Sequence, residues 1–310
     1  MGVPTSRLMK ATIYPLVAGG SFYLFWRALT AGVPPGVALF GLSAGSLTVI
    51  ALLEILAPLR REWAWWTDRQ TFNDLAHGAL MSLIGPKIGE IALLSAVTAG
   101  AAALAAKGGG IWPTHWPFLA QLLLAILIAD FADWPKHWLY HHWPAAWPIH
   151  ALHHNSDRMH VAKAGRLHFL ESTIRYALIT APLLLLGAPG QVLLWHAALL
   201  TVLGNLVHSN IDMPMPSFLH YLIVTPDNHR LHHSSDPKYG NTNMSLLTML
   251  ADHLFGTFRH PVRHRLVEVG IGEDPIPGNV FAQLAVPMAW PWLMARLRKR
   301  TRAPVGAGLG

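Results

Sequence analysis

The 310-residue chain contains no cysteine. That absence excludes disulfides, thiolate-held zinc and cysteine-held iron–sulfur clusters, so any metal must be held by nitrogen or oxygen. Charge is also scarce. Asp, Glu, Lys and Arg make up 13% of the residues against 52% hydrophobic ones, a balance that soluble globular domains rarely show. The HExxH motif of zinc hydrolases is missing, as is the Glu-x-x-His element of ferritin-like di-iron bundles. The N-terminus has no small-residue cleavage site after a short apolar core, so no removable signal peptide is expected.

What is present is apolar sequence in lengths that suit a bilayer, whose hydrocarbon core needs about 20 residues of helix. Residues 11–31, 36–58, 75–106 and 117–141 predict four long spans, and 176–208, broken at Gly187-Ala-Pro-Gly190, predicts a helical hairpin. The Arg60–Gln70 stretch mixes charge with three tryptophans, as expected of a segment at headgroup level. The net charge of +7 is spread beside these apolar segments. That pattern fits attraction to anionic headgroups and not a nucleic-acid-binding face.

Arg7 and Lys10 precede the first span, Arg60, Arg61 and Arg69 follow the second, and Lys136, Arg158, Lys163, Arg166 and Arg175 follow the fourth. The intervening loops carry one Lys, so the positive-inside rule puts the polar segments on the cytoplasmic side. The expected fold is an all-α integral membrane bundle of about four long spans plus a hairpin, with a cytoplasmic cap. It is read as a single membrane domain over 1–310, with an N-terminal transmembrane hairpin at 1–60, a core at 118–260 and a basic cytoplasmic tail at 261–310.

The polar segments are rich in histidine. HWLYH spans His137 to His141, HALHH spans His150 to His154, and HRLHH spans His229 to His233. His137 and His141 share a helix face by their spacing of four. In each of the other runs, positions i, i+3 and i+4 can turn three rings toward one small volume. His168 and His208 lie between the runs, whereas His160 falls outside the spacing and reads as a bystander. Burying ten imidazoles without partners would cost several kcal/mol each on rough transfer scales, whereas metal ions use their lone pairs directly. One structural zinc needs about four ligands, so the surplus implies two metals.

Order and spacing over 118–260 resemble the fatty acid hydroxylase and sterol desaturase superfamily of membrane enzymes, with its three histidine boxes. Flanking features agree: Asp130-Phe131, the R-x-H-x-x-E segment Arg166, His168, Glu171, the His208–Asn210 segment, Thr225-Pro226 and Asp252–Thr257. Pro135 and Phe169 depart from the usual pattern without removing a ligand. The resemblance implies a di-iron centre held by His137, His141, His150, His153, His154, His229, His232 and His233, with His208 and His168 as further ligands. It also implies O2 as co-substrate, hydroxylation or desaturation of a lipid C–H position in a sterol, carotenoid, fatty acyl or ether lipid, and electrons from a separate ferredoxin- or cytochrome b5-like donor and its reductase. Carboxylates that could orient the rings are Asp130, Asp133, Asp157, Glu171, Asp227 and Asp236, with Asp133 and Glu171 favoured by spacing.

Two other classes compete. A metal transporter or sensor would place ionisable groups along the spans, but here they gather at one end. Bis-histidine haem binding would need only two or four ligands.

Overall fold

The computed structural model describes residues 6–84, 87–88, 91, 99–100, 102–103, 110–261 and 267–302, and much of the second half of the span expected over 75–106 lies outside them. Among the described residues the regular structure is helical, with three isolated β-bridges and no strand. The long helices are α1 (Arg7–Thr30), α2 (Pro35–Leu56), α3 (Thr71–Leu83), α4 (Phe118–His142), α6 (Phe169–Leu186) and α7 (Gly190–Val207). Shorter ones build the cap: α5 (Trp147–His154), α8 (Leu219–Leu222), α9 (Pro226–His232), α10 (Pro237–Gly240), α11 (Leu250–Phe255), α12 (Val280–Leu284) and α13 (Val286–Arg302).

Among the described residues four helices, α2, α4, α6 and α7, are long and apolar enough to cross a membrane. In α2 the mean hydropathy of the best window is 2.0, yet only 22% of that window is buried. Val37, Phe40, Val49 and Leu52 point outward, so its apolar surface exceeds what the protein can cover, as expected of a lipid-facing helix. The chain is an integral membrane protein. The first expected span is a helix, α1, but it is not apolar enough to stand with those four; it packs through Val17 and Phe25 against the α2–α7 pair. The hairpin between α6 and α7 turns at Gly187, whose φ of 85° is the left-handed conformation glycine tolerates. α4 runs through Pro135 as one helix.

The ends of α2, α4 and α7 and the start of α6 meet the cap on one side of the bundle. Glu54 at the end of α2 is buried, and one of its oxygens accepts from the backbone N–H groups of Val161 and Asn210, at 2.7 and 2.8 Å. Asn210 in turn bonds both ways with the Arg60 backbone. These contacts seat the segment after α7 on the end of α2.

A charged cluster binds the 161–165 turn to α3. Lys163 lies 2.7 Å from both Asp68 and Asp74, Arg166 lies 2.6 Å from Asp74, and His160 lies 3.0 Å from Asp68. His160 is therefore engaged through Nε2, although its spacing gave no sign of it. Two carboxylates facing two cations leave the buried group neutral, the condition under which ion pairs survive desolvation. The same contact needs bare backbone, because a Cβ on Gly165 would sit 2.6 Å from the Gly78 Cα. Gly165→Ala should lower stability by about 1–3 kcal/mol through overpacking, read as a lower thermal midpoint in detergent against Gly204→Ala, where nothing lies within 4 Å.

Candidate metal centre

Local sequence fixes each helix that carries histidines. Thr225 caps α9 in a reciprocal capping box with Asn228, and Pro226 occupies the first turn where its missing N–H costs nothing. Pro148 opens α5 in the same way. α4 delivers His137 and His141 at its last turns, and His208 follows the end of α7.

The rings converge into two groups. His137, His141, His150, His154 and His232 form one, and His153, His208, His229 and His233 form the other, with donor atoms in each lying within 4.8 Å of one another. The three rings of each H-x2-HH run do not share one volume as expected. His150 and His154 enter the first group while His153 enters the second, and His229 and His233 enter the second while His232 enters the first. Helix geometry explains the split: i and i+4 lie about 40° apart around the axis, but i+3 and i+4 lie about 100° apart.

Hydrogen bonds at Nδ1 decide which nitrogen carries the proton. The carbonyls of Met244, Arg166, Gly204 and Thr242 accept from His137, His153, His208 and His232 at 2.6, 3.3, 2.8 and 2.9 Å. Glu171 accepts from His150 at 2.8 Å, and Asn241 lies 3.2 Å from His141. Neutral rings so held present bare Nε2 lone pairs inward. Yet Nε2 of His137 lies 3.1 Å from that of His150, and Nε2 of His153 lies 3.3 Å from that of His208. Nε2 of His141 and of His232 are buried with no hydrogen-bond partner. Lone pairs facing one another at about 3 Å repel unless a cation sits between them. Nitrogens bound to one first-row metal at roughly 2.0–2.1 Å are separated by about this distance, so the donor set fits a metal ion in each group.

Burial keeps these rings neutral. Desolvation pushes His208 and His232 down from 6.5 to about 4, and pushes His150, His153, His154, His229 and His233 well below 6.5, aided by neighbouring imidazoles.

The remaining expectations sort plainly. His168 joins neither group. Its Nδ1 caps α6 by accepting from Leu170, and its Nε2 lies 3.0 Å from the Leu284 carbonyl, so both nitrogens are engaged by the protein. Of the six carboxylates, Glu171 alone touches a grouped ring. Asp133 is drawn to Lys136 at 2.6 Å, since an ammonium is a stronger partner for a buried carboxylate than a neutral imidazole. Asp130 accepts from Leu247 and Thr248. Asp227 pairs with Arg230, Asp236 caps α10, and Asp157 is exposed beside Arg158. Asp252 and Asn241 were missed. Asp252 binds the Met244 and Ser245 N–H groups and the Trp134 indole, and so sets the Met244 carbonyl that orients His137. A third set, Asp68, Asp74 and His160, also has metal-like spacing, but the Lys163 ammonium already lies against both carboxylates.

Known proteins agree with this geometry. The fatty acid hydroxylase family profile matches residues 122–257. Ornithine lipid hydroxylase OlsE of Rhizobium tropici is 37% identical over 247 residues, 79% of this chain and 73% of that protein. The chain belongs to the fatty acid hydroxylase family. More distant relatives of this hydroxylase are the very-long-chain aldehyde decarbonylase GL1-6 of Oryza sativa, 27% identical over 46% of this chain and 24% of that one. Alkylglycerol monooxygenase of Danio rerio is 25% identical over 47% and 31%. No solved structure matches. The chain is a hydroxylase-type, lipid-modifying oxygenase.

Two outcomes test the site. Glu171→Ala frees the His150 ring and should weaken metal binding about 10–100-fold, measured by metal retention against a graded chelator. The unfolded chain's imidazoles take protons near 6.5, whereas the folded ones hold out to about 4 at His208 and His232. Below pH 6.5 the unfolded state therefore binds more protons. The thermal midpoint of the metal-free hydroxylase should fall from pH 6.5 toward 4, and a flat midpoint across that window would contradict the burial.

Proposed function

We propose that the two histidine groups hold an iron pair and that the hydroxylase inserts oxygen from O2 into a C–H bond of a membrane lipid bearing an amino-acid headgroup. The observation that carries this reading is the pairing of two buried all-imidazole groups with close similarity to a protein described as an ornithine lipid hydroxylase. Imidazole is a good ligand for iron, and an all-nitrogen shell suits an ion taken through oxidising states. The overall balance is RH + O2 + two electrons + two protons giving ROH and water. The iron, when bound, supplies the O2 activation.

The chain's own residues supply the rest. Glu171 and the four backbone carbonyls hold ring protons outward so that every oriented Nε2 faces the centre. The bundle and cap exclude water from seven rings that are almost wholly buried, while His137 and His141 are partly exposed. The ligands His150, His153, His154, His208, His229, His232 and His233, with His137 and His141 at the end of α4, are the proposed set, and His168 is a helix cap. The basic segments support a cytoplasmic position for the centre. With no cysteine for an iron–sulfur cluster, electrons come from a separate donor and reductase.

Purified protein from iron-replete cells should hold about two iron ions per chain. His232→Ala should deplete one and His208→Ala the other, and both should abolish product. Lipid profiling of a host with and without the gene names the substrate: a new hydroxylated amino-acid lipid is expected. Stoichiometric zinc, or wild-type lipid product from either variant, would overturn the reading.

A further inference from the structure

A cavity of about 780 Å³ opens beside the first histidine group, a volume typical of sites for lipid- or drug-sized ligands. His141 and His154 line it, and no member of the second group does. Its walls come from the end of α4, α5, the loop after α9 and α13, so it approaches the centre from the cap and not through the bundle. Trp147 lines the cavity beside the two rings, with ring centroids 5.4 Å from His141 and 5.7 Å from His154.

The opposite wall is α13, which contributes Trp290, Met294 and Arg298. α13 shows the marks of a helix lying in a membrane interface. Met288 and Trp292 are 82% and 59% exposed, and the Arg296 guanidinium lies 5.4 Å over the Trp292 ring. Apolar side chains reaching outward beside snorkelling cations place a helix at headgroup depth. Arg298 brings a guanidinium to the lining, together with Ser234, Ser235 and Asn241. The recess is thus apolar at the indoles and cationic at α13.

We propose that this cavity is the substrate site for the polar end of a membrane lipid, with Arg298 contacting an anionic group of the headgroup and α13 forming the wall toward the bilayer surface. The inference deepens the hydroxylase reading and rests on it for the chemistry, but the binding itself is separable. An acidic electron-donor protein would meet the same cations. It would need a broad surface, whereas the charge here lines a recess that reaches two ligand rings.

The test uses the full-length, iron-loaded protein, anaerobic so that nothing turns over, in nanodiscs of phosphatidylcholine. The probes are N-dodecanoylglycine and its methyl ester, with binding read by native mass spectrometry. The acid should bind about tenfold more tightly than the ester, the scale of one charge-assisted contact. Arg298→Gln should bring the two within about twofold of each other. Ala295→Trp, at an exposed lining position, should fill the recess and weaken the acid about tenfold or more with iron content unchanged. Equal binding of acid and ester by wild type, wild-type binding by Ala295→Trp, or full displacement by acetate would overturn the proposal. So would variants that bind the probe normally but take electrons more slowly from the donor, since the cavity would then serve that protein. Normal probe binding in a protein that makes no hydroxylated lipid sinks the hydroxylase reading alone. Unaltered lipid product from Ala295→Trp sinks the cavity assignment alone.

Discussion

Unprotonated ring nitrogens brought to about 3 Å of one another are a repulsive arrangement, and much of this fold exists to maintain it. In the pairs His137–His150 and His153–His208 both Nδ1 protons are already given away to carbonyls or to Glu171, so neither ring can donate to the other. Such crowding is tolerable only where cations can take the lone pairs, or where the surroundings are stiff enough to hold the rings apart from their own preference. The cap provides that stiffness through helix caps, the Thr225–Asn228 capping box and buried ion pairs that lie one layer out from the rings.

Arg166 shows how the layers connect. Its guanidinium binds Asp74 on α3 and reaches the Leu152 carbonyl and Asn155 at the end of α5, while its own carbonyl takes the His153 proton. One residue thus ties an N-terminal helix to a ring of the second group. Asp252 does the corresponding work for the first group through Met244. Neither side chain touches a grouped ring, and each fixes a peptide whose carbonyl does.

This division explains what was legible in the chain. The convergence of the three histidine runs and His208 could be read because a metal site demands one residue type at a set spacing. The spans at 36–58 and 117–141 and the hairpin at 176–208 could be read because a bilayer demands length and apolarity. Carboxylate roles were mostly illegible: Asp133 stands four residues before His137, but Lys136 at i+3 takes it first, and spacing does not rank competing partners. His168 looked like a ligand because its segment matched a family pattern, yet that pattern is equally served by a helix cap. The ring-orienting carbonyls left no trace, since every residue has one. His160 was hidden for a similar reason, as its partner Asp68 lies 92 positions away.

The adjacent histidines of α5 and α9 carry a consequence for assembly. His153 and His154 serve different groups, as do His232 and His233, so the spacing between the two centres is written into single peptide bonds on two short helices. Neither group can be ordered without ordering the backbone of the other. Fixing either group removes conformational freedom from short helices that both groups share. Order in one group is therefore already partial order in the other.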